Sequence, residues 1–192
     1  MRKFRYKPES LEKLVETTAF TKNELKYLYQ SFKQNCPRGF VTKAEFVSIF
    51  LSFFNIANKS DAKAYAEYVF NSFDGDSSGT ISFSEFVSEL SMFIRGSVEE
   101  RLGWIFQLYD TNRRGYIVEE DILNIARAMY SIVGVHYTKN KHIPAKIRKF
   151  LRQTYESFDR SCTTRITKQQ FIQNALKNEQ FLHSLEVLKS VW

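Results

Sequence analysis

One twelve-residue frame occurs four times along the 192-residue chain, its first position falling at residues 34, 74, 110 and 159. Such a repeat restricts the fold more than any bulk property, because each unit must bury its apolar flanks against a neighbour. Position 8 is β-branched and apolar in every copy: Val41, Ile81, Ile117 and Ile166. Position 6 is Gly39, Gly79 and Gly115 in three copies and Thr164 in the fourth. Glycine at that place permits a left-handed turn that bends a short loop sharply. The flanks carry helical periodicity. Tyr65, Ala66, Val69, Phe70 and Phe73 recur at intervals of three and four before the second loop, and Phe83, Phe86, Val87 and Leu90 do so after it. Trp104, Ile105, Leu108 and Tyr109 lead into the third loop, and Ile147, Phe150, Leu151 and Phe158 into the fourth. Ser60-Asp61 suits a cap for the helix entering loop 2. The expected fold is therefore all-α: four helix–loop–helix units in two pairs, joined within each pair by a short antiparallel bridge. Val41 is expected opposite Ile81, and Ile117 opposite Ile166.

The second loop, "DGDSSGTISFSE", holds three carboxylates and five hydroxyls in its twelve residues. Its oxygens stand where the EF-hand calcium frame needs them. Asp74, Asp76 and Ser78 offer side chains from positions 1, 3 and 5, and Thr80 its carbonyl from position 7. Ser82 is placed to act through a water, and Glu85 closes the shell with two carboxylate oxygens. A hard divalent cation takes six to eight such oxygens, so calcium is the expected ion at this one site, with magnesium as the alternative. Three formal charges and a serine at position 5 suit an affinity of sensor strength or weaker.

The other loops lack these oxygens. "QNCPRGFVTKAE" keeps only Glu45 as a usable carboxylate and places Cys36 and Pro37 inside the turn. "DRSCTTRITKQQ" keeps Asp159 but closes on Gln170. "DTNRRGYIVEED" keeps Asp110, Asn112 and Asp121, yet puts Arg114 at position 5 and Val118 at position 9. A guanidinium about 5 Å from a divalent ion costs up to ~7 kcal/mol at an effective dielectric near 20. That figure is an upper bound because Arg114 can swing outward, so weak binding in loop 3 stays open, with the shorter Asp121 favouring magnesium; in a metal-free loop Arg114 can serve as a built-in cation.

Composition limits the remaining possibilities. The chain is 43% hydrophobic and 16% aromatic, enough for one or two compact cores. No apolar run approaches a membrane span, and "MRKFRYKPE" has neither a signal-peptide core nor an N-terminal glycine to acylate, since Arg2 stands there. The two cysteines, Cys36 and Cys162, fall in different pairs, and a disulfide between them is not expected, which fits a cytoplasmic protein. Three histidines without metal or nucleophile spacing give no support to an enzyme. A net charge of +7 concentrates in "TKNKHIPAKIRKFLR", where Lys146, Arg148, Lys149 and Arg152 avoid the apolar face. That run reads as a solvated helix face, with an anionic membrane surface or acidic partner as the functional alternative. Nucleic acid is disfavoured, because no aromatic-interleaved platform accompanies the charge.

Apolar surplus lies in "FVSIFLSFFNI", where Phe46, Ile49, Phe50, Phe53 and Phe54 recur at helical spacing. A groove lined by Phe50, Phe53, Phe54 and Trp104 is expected to take a partner helix. At the C-terminus Phe181, Leu182, Leu185, Leu188 and Trp192 share one face of an amphipathic helix, read as a lid over that groove or as a fixed element.

These pieces resemble the neuronal calcium sensor family of EF-hand proteins. "NCPRG" is similar to its Cys-Pro-x-Gly signature in a silent first hand. "AYAEYVFNSFDGDSSGTISFSEFVSELS", "RGSVEERLGWIFQLYDTNRRGYI" and "AMYSIVGVH" are similar to the family's second and third hands and the segment after them. "FRYKPESLEKL" and "FTKNELKYLYQSFK" look most like the Kv-channel-interacting branch. The sequence itself divides into hand pairs at residues 1–95 and 96–192, joined by "FIRGSVEE", where Gly96 offers a hinge. The resemblance implies a two-lobed α fold. It also implies a cytoplasmic auxiliary subunit, peripheral to the membrane through its partner, whose groove takes an amphipathic helix of a voltage-gated potassium channel. In that branch hands three and four are the regulatory calcium sites; Arg114 and Gln170 depart from the pattern. A structural adaptor with one fold-stabilising ion, and a DNA-binding calcium-responsive regulator, are the competing expectations.

Overall fold

The structure, a computed structural model, describes residues 9–52, 59–132, 145–158, 164–179 and 181–182. They are mostly helical. Helices α1 (Leu11–Thr17) and α2 (Lys22–Asn35) lead to strand β1 (Phe40–Thr42) and helix α3 (Lys43–Ser52). Helix α4 (Lys59–Phe73), strand β2 (Thr80–Ser82) and helix α5 (Phe83–Arg95) come after these. Next are α6 (Val98–Tyr109), β3 (Tyr116–Ile117) and α7 (Glu119–Ile132). The described part ends with α8 (Ala145–Phe158), β4 (Ile166–Thr167) and α9 (Lys168–Ala175). Ser60 and Asp61 already lie within α4, so they do not cap it from outside.

Helix starts are fixed by reciprocal caps. Thr21 with Glu24, Ser82 with Glu85, Ser97 with Glu100 and Thr167 with Gln170 each exchange a side chain for the other's backbone N–H. Each pair satisfies two of the donors a helix start leaves without an intrahelical partner. Position 6 of every loop takes the left-handed conformation: φ is 85° at Gly39, 78° at Gly79, 78° at Gly115 and 58° at Thr164. These turns bring the strands together in two antiparallel pairs. Val41 faces Ile81 in one, and Ile117 faces Ile166 in the other.

Each pair of strands sits on its own apolar cluster. Leu14, Leu25, Phe32, Phe70 and Val87 surround Val41 and Ile81. Leu102, Phe106, Phe158 and Phe171 surround Ile117 and Ile166. A third cluster crosses the junction at Gly96: Trp104, Leu108 and Ile125 pack against Tyr65, Val69, Phe73 and Phe93. Helix α4 thereby lies against α6 and α7, and α5 against α6. Gly96 is extended (φ −65°, ψ 159°), a conformation open to any residue, yet a Cβ there would stand 2.2 Å from the Met92 carbonyl. Close approach of the chain to the end of α5, not a need for positive φ, excludes a side chain.

Candidate metal centre

Loop 2 begins where α4 runs out. Asp74 N–H closes the helix on the Phe70 carbonyl at 2.9 Å, and the Asp74 side chain then organises the turn. Its carboxylate accepts from Ser78 N–H at 2.9 Å and Gly79 N–H at 3.0 Å, and it is buried. Asp76 accepts from the same Ser78 N–H at 2.9 Å. The Ser78 hydroxyl, and after it the Ser78 backbone N–H, hold the Asp76 carboxyl below its ordinary value. Glu85 arrives from the first turn of α5. One of its oxygens accepts from Ser82 N–H at 2.9 Å and Ser82 Oγ at 2.7 Å, and the other faces Asp76 N–H at 3.4 Å.

The outcome is a single oxygen-lined centre. One carboxylate oxygen from each of Asp74, Asp76 and Glu85 lies within 4.8 Å of the other two. Three like charges so close repel one another unless a cation joins them. With oxygen as the only donor, the cluster can hold a hard metal ion. Ser78 Oγ and the Thr80 carbonyl lie 2.9 Å apart on the same loop, where they can add further oxygens. The Ser82 hydroxyl is committed to Glu85 and the start of α5.

Loop 3 has the same skeleton with a different filling. Asp110 accepts from Arg114 N–H at 2.9 Å and Gly115 N–H at 2.7 Å, and Asp121 accepts from Val118 N–H at 2.8 Å. The Arg114 guanidinium is bonded to the Asp121 carboxylate and lies 4.9 Å above the Tyr116 ring. Arg165 covers the same ring at 4.8 Å. Loop 1 repeats the device. Arg38, also at position 5, meets Glu45 at 2.6 Å and stacks 4.8 Å from the Phe40 ring. In both loops a side-chain cation occupies the closing acid, and an aromatic residue at position 7 supports it. The Arg114 pairing is the internal cation expected from the sequence; the Arg38 pairing was legible by the same comparison of positions 5 and 12. Loop 4 closes on Gln170, which accepts from Thr167 N–H at 2.9 Å; Asp159, Ser161, Cys162 and Thr163 lie outside the described residues.

Two further features went unforeseen. Arg113, position 4 of loop 3, reaches across to loop 2. A cavity of about 320 Å³ separates the two loops, lined by Gly75, Glu89, Gln107, Asp110, Arg113 and Lys168 among others. Glu89 Oε2 is buried there without a hydrogen-bond partner among the described residues. Burial, and then the charge of Glu85, push the Glu89 carboxyl up to about 7, against an opposing pull from Lys168. Position 4, where Arg113 stands, has no ligand role in the repeat frame, and Glu89 lies outside the frame, so the loop pattern carried no signal for either.

Of the residues expected to line a groove, Phe50 is half-buried, its ring 6.0 Å from Phe46 and 6.0 Å from Tyr65. Trp104 is buried, 5.0 Å from Phe93 and 6.4 Å from Phe73, and its ring joins the packing between the halves. Phe53 and Phe54 lie outside the described residues. Phe181 packs edge-on against Phe158 at 5.5 Å and Phe171 at 6.0 Å, and Leu182 joins the same cluster. That contact docks the start of the C-terminal segment on the second half; Leu185, Leu188 and Trp192 lie outside the described residues. Among the described residues no helix is long and apolar enough to cross a membrane. No protein-family model matches the chain.

Proposed function

We propose that the chain is an EF-hand calcium-binding regulator that takes up one ion in loop 2. The observation that carries this reading is the convergence of Asp74, Asp76 and Glu85 within 4.8 Å on a loop turned by Gly79. Glutamate at position 12 can present both oxygens and favours calcium over the smaller, strictly octahedral magnesium. Capture of an amphipathic helix from a voltage-gated potassium channel rests on the resemblance of the flanking segments to the Kv-channel-interacting branch. Phe50, Phe53 and Phe54 remain the candidate groove residues, whereas Trp104 is buried in the packing between the halves. Calorimetric titration with calcium should show one site, and Glu85→Gln should remove it. Two sites of comparable affinity in the wild type would contradict the assignment.

A second reading, a structural adaptor whose ion serves only the fold, is favoured by the arginine closure of loops 1 and 3. Two loops already hold a cation of their own, and the halves are packed together through Trp104. The two readings part on one measurement. A regulator changes its affinity for a channel-derived amphipathic peptide when calcium is added, and Glu85→Gln abolishes that change. An adaptor binds the peptide equally with and without calcium.

A further inference from the structure

We propose that Arg113 is a positioning residue for the loop-2 metal site, acting on it from the other half of the molecule; the proposal rests on reading loop 2 as a metal site. Arg113 lies in loop 3 with φ at 52°, a left-handed conformation that non-glycine residues seldom adopt. Its guanidinium leaves loop 3 altogether. Nη1 donates to the Gly75 carbonyl at 2.9 Å and to Ser77 Oγ, and Nη2 donates to the Asn71 carbonyl at 3.0 Å and to the Asp74 carbonyl. Four acceptors of one segment are gathered by one planar group supplied from another segment, some 36 to 42 residues away.

The chemistry of those acceptors gives the contact its meaning. Asn71 lies in the last turn of α4, and Asp74 directly succeeds that helix, where carbonyls lack intrahelical partners and the helix dipole is negative. A cation is favoured at that end. Asp74 and Asp76 supply carboxylates to the cluster, and Arg113 grips the backbone carbonyls of Asp74 and of Gly75 between them. The guanidinium therefore fixes the segment from outside while its side chains face the metal position. Order established before the ion arrives need not be imposed by the ion, which raises affinity. Arg113 is exposed, so solvent screens the repulsion between its charge and the bound cation. Lysine would keep the charge but cannot span four acceptors with one ammonium. Coupling between sites is reciprocal: if Arg113 helps loop 2 take the ion, the ion must strengthen the grip of loop 2 on loop 3.

The test uses the full chain as wild type, Arg113→Ala and Arg113→Lys, with calcium titrated calorimetrically and amide exchange measured with and without calcium. Both variants should bind calcium about 5–10-fold more weakly, the lower part of the usual range for coupled sites. In the wild type calcium should slow exchange at the Arg114 and Gly115 amides of loop 3, and in Arg113→Ala that slowing should vanish. Affinities within twofold of wild type in both variants overturn the proposal. So does tighter binding in Arg113→Ala with wild-type behaviour in Arg113→Lys, which would leave bare charge repulsion as its only effect. If the wild type takes up no calcium, the metal reading of loop 2 fails, and chelator-treated protein then decides the clasp. Faster exchange at Ser78 and Gly79 in Arg113→Ala upholds it, and unchanged exchange rejects it.

Discussion

Loops 2 and 3 share a backbone and differ in what fills it. In both, the aspartate at position 1 accepts the amides of positions 5 and 6: Asp74 from Ser78 and Gly79, and Asp110 from Arg114 and Gly115. In both, the acid at position 12 accepts the amide of position 9. The turning glycines have the same φ, 78°. Of the side-chain ligand positions that differ, 3, 5, 9 and 12, only position 5 brings in a positive charge. Ser78 leaves the space before Glu85 open to an ion, whereas Arg114 delivers a guanidinium to Asp121. The shape of such a loop is therefore set by its own hydrogen bonds, and its ability to take an ion by the side chains that fill it, position 5 foremost. A charge on a tether replaces a charge from solution at much lower entropic cost, so the Arg114–Asp121 pair competes with any ion for the closing acid of loop 3.

Exchanging position 5 should have the largest effect. Ser78→Arg brings a guanidinium to Glu85 and removes an oxygen, so calcium affinity in loop 2 should fall by more than about 100-fold, as expected for several kcal/mol of Coulomb repulsion. Amide exchange in chelator should stay close to that of the wild type, because Asp74 keeps its two backbone partners. If the variant still binds calcium with near-native affinity, position 5 is not what separates the loops. The reverse exchange, Arg114→Asp with Asp121→Glu, should create a second calcium site of lower affinity, since Val118 still offers no side-chain oxygen at position 9. A folded double variant that titrates with only one site would place the defect in the loop-3 backbone, against the geometry the two loops share.

Between the loops, Glu89 provides a pH-dependent test of how dry that space is. Its carboxyl is raised to about 7 by burial and by Glu85. A carboxyl whose folded value exceeds its unfolded value stabilises the fold fully only below the unfolded value. That contribution is lost as pH climbs from the usual glutamate range through about 7. In chelator, the wild type should lose about 1–2 kcal/mol across that interval, part of the full linkage value because the group is not wholly buried. Glu89→Gln should flatten the profile and be the more stable protein above neutrality. A wild-type profile that is level from pH 4.5 to 7.5 would show that water reaches the carboxylate between the loops.

How much of the molecule was legible depends on where each residue sits in the repeat. The frame named Asp74, Asp76 and Glu85, and the structure gathers them. Position 8 named the facing residues of both strand pairs, since a β-branched residue at one fixed place in each loop can meet only its counterpart. The frame was silent about contacts between loops 2 and 3, because those depend on how α4 packs against α6 and α7. Arg113 and Glu89 matter through that packing, and no local pattern marks them. Trp104 misled for a related reason. Its helical spacing allowed an open face as readily as the buried cluster it joins with Leu108 and Ile125. Asymmetry between the pairs was legible at Thr164, the one residue at position 6 that is not glycine.

Thr164 gives the smallest effect and the sharpest contrast between the two pairs. Loop 2 pairs with a loop turned by Gly39, while loop 3 pairs with one turned by Thr164 at φ 58°. A β-branched residue in that conformation carries strain of about 1–2 kcal/mol. Glycine would relieve it but would loosen the unfolded chain by about 0.5–1 kcal/mol. On strain and chain entropy alone Thr164→Gly stabilises the protein by about 0.5–1 kcal/mol, a rise of roughly 1–4 °C in the midpoint of thermal unfolding for a chain of this size, less whatever the threonine side chain contributes. The mirror change isolates the cause. At Gly115 an added Cβ would meet nothing within 4 Å, so Gly115→Thr introduces backbone strain without a clash. It should destabilise by about 1 kcal/mol, the strain less the stiffening of the unfolded chain. If Thr164→Gly instead lowers the midpoint, the threonine contributes a contact worth more than its strain. Position 6 of loop 4 would then be held by packing, unlike the same position in loops 2 and 3.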